Sequence, residues 1–338
     1  MNDTSRNTRF SFLTTAYKTE QYLAETIDSV LAQTSPEWEL VVVDNGNSDA
    51  IAAIVRSYAT DGRVRLVRQE NKGYSGGVMA AADVARGDYF CVLDSDDLLM
   101  PTFVETIGAF IDSHPDADAV GCDAHQFVDG ERRSFGRGYL HSIGVSRRPQ
   151  AGDRITVDDV LGGLVPYYVG AIRRQAWDMV GGYEPGVAEV EEDVVAWLRL
   201  AAEFHVFLLP DRLARSRLRE GSVSHDPQKI ESFERRLIRA FELFARESGR
   251  PEHLVAVEAS LRRLRYHQAL RRARWSFLDG DFPAARRFAR DAYNQKHTLR
   301  AVAVVSSVTI APRLLSTLHP LKQRLAVVAR RMLSRAQP

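Results

Sequence analysis

Glu39-Leu-Val-Val-Val43 is a continuous aliphatic run with no polar alternation, and it stops on Asp44-Asn-Gly46. A strand of this kind is buried on both faces, as in a parallel sheet covered by helices on each side. Its neighbours fit that setting, because Phe10 to Thr15, Val64 to Arg68 and Tyr89 to Leu93 are further strand-like runs. Between them Leu23, Ile27, Val30 and Leu31 recur at helical spacing, and Ala50 to Tyr58 and Val78 to Ala85 read as two more helices. The alternation predicts β-α-β-α-β-α-β with right-handed crossovers, an α/β fold whose ligands gather at the carboxyl ends of the strands. Those ends carry Thr15, Tyr17 and Lys18, then Asp44, Asn45 and Asp49, then Asp94, Asp96 and Asp97.

At 338 residues the chain predicts more than one small core. Residues from about 120 to 225 are less regular and read as the acceptor half of the first domain, with a helix starting near Glu191. From Asp226 onward the pattern turns helical and arginine-rich, with a hairpin around Leu278-Asp-Gly-Asp-Phe-Pro283. The expected domains are therefore 1–226 and an all-helical extension, 227–338. Forty-five basic against 44 acidic residues leave a net charge of +1, which argues against nucleic acid as a partner. Two cysteines, Cys91 in an apolar strand and Cys122, predict reduced thiols and no disulfide framework. The polar start, Met1 to Arg9, shows no secretory signal, so a cytoplasmic location is expected.

Asp94-Ser-Asp96-Asp97 places carboxylates two apart directly after a buried strand, where like charges call for a cation. Mg²⁺ or Mn²⁺ suits the oxygen ligands, since such ions keep waters and bridge to phosphate. The competing structural role is a helix N-cap at Asp97. Glu191-Glu192-Asp193 opens an apolar run and supplies candidate general bases, although first-turn acids also stabilise a helix without any catalytic role. The loop Asn71-Lys-Gly-Tyr-Ser-Gly-Gly77 could let backbone approach a ligand. No Gly-x-Gly-x-x-Gly turn follows the first strand, no Gly-x-x-x-x-Gly-Lys-Ser/Thr loop occurs, and His/Cys zinc spacing is absent.

With these residues in hand, positions 8 to 225 resemble family 2 of the glycosyltransferases. The segments that carry the resemblance occur in order: Phe12-Leu-Thr-Thr-Ala-Tyr-Lys18, Tyr22 to Thr34, Val41-Val-Val-Asp-Asn-Gly46, Asn71-Lys-Gly73, Gly87 to Asp97, and Gly181-Gly-Tyr183 with Glu192-Asp193 and Trp197-Leu-Arg199. The resemblance implies a GT-A fold, a Rossmann-like, mostly parallel sheet flanked by helices. It implies inverting transfer from a nucleotide diphosphate sugar, UDP- or dTDP-type favoured, to a glycan, lipid-linked or small acceptor. Thr15, Tyr17, Asp44, Asn45, Lys72, Asp94 and Ser95 would then bind the nucleotide, Asp94 and Asp96 the metal, and Asp193 would be the base with Glu192 in support. Two positions depart from the family pattern: Asn45 where a second Asp is usual, and Lys18 where Asn is usual. Arg217, Arg219 or His225 could touch phosphate.

Ala301 to Ala311 is apolar but far short of the ~20 residues of a spanning helix. Together with Leu314, Leu315, Leu318 and the basic residues after them, the stretch 299–335 could lie against anionic lipid, or pack on the catalytic domain or on a second copy in a homo-oligomer. Two rival readings are a sugar-phosphate nucleotidyltransferase, whose triphosphate loop Thr14 to Lys18 lacks, and a catalytically inactive nucleotide-sugar or glycan-binding protein of the same fold.

Overall fold

The computed structural model describes residues 8–128, 138–142, 145, 150, 152–164, 169–183, 189–218 and 227–310. The first half is the alternation expected: β1 (Phe10–Ala16), α1 (Glu20–Leu31), β2 (Trp38–Asn45), α2 (Asp49–Ser57), β3 (Val64–Gln69), α3 (Gly73–Val84) and β4 (Tyr89–Val92). β2 is buried at every position, and β1 is buried at all but Thr15. The helix α1 forms because Leu23, Thr26, Ile27 and Val30 make one stripe that covers the sheet. Ser48 caps α2 by accepting from Ile51 N at 3.3 Å.

Past β4 come β5 (Leu98–Leu99), α4 (Phe103–Ser113), β6 (Ala119–Val128), α5 (Tyr139–Ser142), α6 (Val157–Leu161), β7 (Ala171–Arg173), α7 (Arg174–Val180), α8 (Glu192–Glu203) and β8 (Val206–Leu218). The eight strands form one sheet in the order β3-β2-β1-β4-β7-β6-β8-β5. Pairing is parallel across β3, β2, β1 and β4 and between β6 and β8. It is antiparallel where β7 joins β4 to β6 and where β5 meets β8. The edge strand β3 carries Arg65, which pairs with buried Glu39 at 3.0 Å, and Arg68. Phe10, Phe12, Leu40, Val42 and Cys91 pack with α1 and with Phe103 and Ile107 of α4 in a continuous core.

The chain divides into two compact units, 1–256 and 257–338. After α9 (Pro227–Ser248) and α10 (Pro251–Leu278), the second unit holds α11 (Phe282–Gln295) and α12 (Leu299–Ile310). The hairpin expected at 278–283 is present, with Asp281 capping α11 through Ala284 N at 3.0 Å and Pro283 in its first turn. Alanines 273, 285, 289, 292 and 301 are buried there, which lets the helices approach closely around Tyr266, Leu270 and Val308.

One helix starts earlier than its sequence suggests. α3 begins at Gly73, not near Val78, so most of the glycine-rich loop is its first two turns. Propensity is overridden by packing, because a Cβ on Gly77 would lie 2.3 Å from Thr15 Cγ2 and one on Gly76 would lie 2.6 Å from Lys72 Cβ. The glycines let α3 press its amino end against the end of β1. Gly77→Ala is therefore expected to cost about 1–3 kcal/mol, read as a lower denaturation midpoint. Adding Thr15→Ala should recover most of that loss.

Candidate active site

The carboxyl ends of β1, β2 and β4 open on one cleft of about 330 Å³. Thr15, Tyr17, Asn45, Asp94, Ser95 and Asp96, all singled out from sequence, line it together with Thr19, Asn71, Gly73 and Tyr74. Thr15 Oγ1 is buried there with no hydrogen-bond partner among the described residues. Lys18, at the departure from the family pattern, takes φ +57° and carries its ammonium 5.1 Å from the centre of the Tyr17 ring. Asn tolerates that left-handed conformation better than Lys does.

Asp44 does not join the cleft. It is fully buried, with Oδ1 accepting from Ser48 N at 2.9 Å and Oδ2 from Arg68 Nε at 2.9 Å. Arg68 also reaches Asp49 at 3.1 Å. The carboxylate thus ties the β2–α2 turn to β3. Lys72 is exposed at the start of α3 and donates its backbone N–H to Asn45 Oδ1 at 3.1 Å.

The acidic turn is held from several sides. Ser95 shares a hydrogen bond with Thr19 at 2.8 Å, and Thr26 donates to Asp97 O at 2.9 Å. Beneath lies Arg217 of β8, whose side chain is 3% exposed. Its N–H donates to Asp97 Oδ1 at 2.7 Å, its Nε to Asp96 O at 2.7 Å and its Nη2 to Glu25 Oε2 at 2.8 Å. Arg217 is a strut under the turn, and Asp97 is engaged with it while Thr102 takes the N-cap position of α4. Arg219 and His225 lie outside the described residues. Among the described residues no three Asp, Glu, His or Cys side chains converge as a metal cage.

Asp193 and Glu192 open α8 and are not among the residues that line the cleft. Tyrosines connect the two places. Tyr74 donates to Asp94 Oδ1 at 2.8 Å, and its ring lies 6.4 Å from that of Tyr183, whose hydroxyl is buried without a hydrogen-bond partner among the described residues. Both phenols are pushed well above their usual range, first by desolvation and then by neighbouring charges that include Asp94 and Asp193. Asp193 itself is raised to about 6 by burial, reinforced by Glu192 and opposed by the N–H of Val194, which donates to it at 2.8 Å. Glu191 is raised to about 7 by burial and by Asp193, despite its ion pair with Arg236. Sequence reasoning flagged this acidic trio but could not see Tyr74 or Tyr183 between it and Asp94.

Residues 11–176 match the sequence profile described as glycosyl transferase family 2. This segment belongs to that family. Glycosyltransferase GlyG of Streptococcus pneumoniae is 36% identical over 31% of this chain and 35% of its own. The chain spans only 12% to 35% of the length of three curated relatives that it matches at 29–40% identity. In three dimensions, S. aureus TarS in complex with UDP is similar with a TM-score of 0.56 and 20% identity, over 91% of this chain and 88% of that one. Mannosyltransferase PcManGT from Pyrobaculum calidifontis, in complex with GDP-Man and Mn²⁺, is similar with a TM-score of 0.57 and 17% identity, over 94% and 86%. The fold is GT-A-like, as the sequence resemblance implies.

The family 2 segment contains every residue that lines the cleft, whereas the acids of α8 lie beyond its end. The raised pKa of Asp193 bears on stability. A carboxyl whose folded pKa exceeds its unfolded value binds protons more readily when folded, so stability falls as pH rises through that interval and stays lowered above it. For Asp193 the interval runs from about 4, the usual value for Asp, to about 6. Asp193→Asn should therefore raise Tm at pH 8 and change it little at pH 4, as read by thermal denaturation at both pH values.

Proposed function

We propose that the chain is a glycosyltransferase that moves a sugar, with inversion, from a nucleoside diphosphate sugar to a hydroxyl of a glycan, lipid-linked or small acceptor. The supporting observation is the juxtaposition of two carboxylates on the cleft wall, Asp94 and Asp96, with a carboxyl of raised pKa, Asp193, across the Tyr74 and Tyr183 pair. The family membership of residues 11–176 supports the same reading. UDP and dTDP sugars are the donors to try first, and GDP sugars follow from the nucleotide named with PcManGT.

Thr15, Tyr17 and Ser95 then meet the nucleotide. Asp94 and Asp96 offer hard oxygen ligands on one wall, which fit Mg²⁺ or Mn²⁺ when diphosphate oxygens and water complete the shell. Such a cation would neutralise charge on the departing diphosphate. Asp193 takes the proton of the acceptor hydroxyl as its oxygen attacks the anomeric carbon, and the bond from that carbon to the diphosphate breaks with the electron pair leaving on the nucleotide. Near neutral pH a carboxyl with a pKa of about 6 is ionised and more basic than an ordinary aspartate. Glu192 raises that basicity through its charge.

For location we propose the cytoplasm, with contact at the inner face of the membrane through 299–335. In α12 Leu299 is 90% and Ile310 81% exposed, beside Arg300; residues 311–335 lie outside the described residues. No helix among the described residues is long and apolar enough to cross a membrane.

A panel of nucleotide sugars with Mn²⁺ or Mg²⁺, followed by nucleoside diphosphate release, tests the reading. One donor should be turned over, and Asp96→Ala and Asp193→Ala should each cut the rate about 100-fold or more. Binding without release under every acceptor mixture would favour the inactive binding protein. In the active enzyme kcat/KM should fall as pH drops through about 6, because the protonated base cannot accept. Glu192→Gln, which removes a charge that raises this pKa, should move that limb to lower pH.

A further inference from the structure

Asn45 ends β2 at the back of the cleft, only 1% exposed. Its side-chain amide has four hydrogen-bonding positions, two accepting and two donating, and all four are engaged. Oδ1 accepts from Gln69 Nε2 at 2.8 Å and from the backbone N–H of Lys72 at 3.1 Å. Nδ2 donates to the backbone carbonyl of Gly73 at 2.7 Å and to Asn71 Oδ1 at 3.4 Å. The two backbone partners fix which way the amide faces, since one can only donate and the other can only accept. A carboxylate at this position could not donate to Gly73, and its charge would sit against that carbonyl and the Asn71 oxygen.

We infer that Asn45 is a positioning residue that latches the segment 71–73 as a wall of the nucleotide cleft and does not itself read the base. Its own acceptors and donors are spent on protein. The latch acts on the donor site through a short path: Gly73, at φ +77°, leads directly into Tyr74, whose hydroxyl holds Asp94. Asn45 thus sets where Asn71 and Tyr74 stand and, through Tyr74, how one metal-side carboxylate is oriented. The amide in place of an acid is what permits this, because an amide, unlike a carboxylate, serves a backbone donor and a backbone acceptor on adjacent residues at once.

The inference rests on the cleft being a nucleotide site, and the test separates the two. Calorimetry with UDP, dTDP and GDP plus Mn²⁺ is run on the full chain, Asn45→Asp and Asn45→Ala, beside amide hydrogen exchange on the nucleotide-free proteins. A latch predicts that both variants weaken each nucleotide that binds by about tenfold without changing the order among them. It also predicts that Asn45→Asp is the worse of the two, and that exchange at Lys72 and Gly73 speeds up while the β2 amides stay protected. A base-reading Asn45 predicts the opposite sign, with Asn45→Asp tightening UDP or reordering the three nucleotides, and that outcome overturns the proposal. Should the unaltered chain bind none of them, the functional reading fails, and the exchange measurement alone decides the latch: unchanged exchange at Lys72 and Gly73 in both variants overturns it. Asn45→Ala, which adds no charge, covers the case in which Asn45→Asp does not fold.

Discussion

A buried guanidinium under a turn of three aspartates is the interaction on which the site depends. Asp94, Asp96 and Asp97 crowd negative charge at the end of β4, and such a turn is stable only where opposite charge and N–H donors meet it. Arg217 supplies both, with bonds to Asp97, to the carbonyl of Asp96 and to Glu25, while Tyr22 and Phe127 close over its plane at 4.6 and 4.7 Å. One side chain therefore joins β8, α1 and β6 to the turn. Asp97 is spent in that joint, which leaves Asp94 and Asp96 facing the cleft.

The order of elements from Phe10 to Val92 was legible because each strand there is a short run rich in apolar and β-branched residues, set off by turn residues. The second half of the sheet was not. β7 has three residues and β5 two, too short for any period to show, and β8 interrupts its apolar residues with Pro210, Asp211 and three arginines. Its arginines have partners that no spacing reveals: Asp123 for Arg212, and the acidic turn for Arg217. Asp44 was legible as a polar strand end but not as a buried one, because Arg68 sits a whole β-α-β unit away in sequence. Long-range partners decide which carboxylates stay open to a ligand, and one-dimensional spacing does not carry them.

Asp193 and Glu191, at the start of α8, lose water and repel one another, so both hold protons more tightly. Asp44, fully buried, has hydrogen-bonding partners on both oxygens. Tyr74, hydrogen-bonded to Asp94, and Tyr183 stand as neutral phenols near both Asp94 and Asp193, since their own ionisation is suppressed.

The sheet's two rims bear on how the protein meets others. At one rim stands β3, whose Arg65 and Arg68 are held by Glu39 and Asp44; at the other stands β5, two residues long. Among the described residues, charged side chains on one rim and the short β5 on the other make both rims poor templates for a further strand. The same arginines that neutralise buried acids thus guard against edge-to-edge aggregation. A partner that approached either rim among the described residues would meet charge or a strand too short to extend, and would gain little from backbone pairing there.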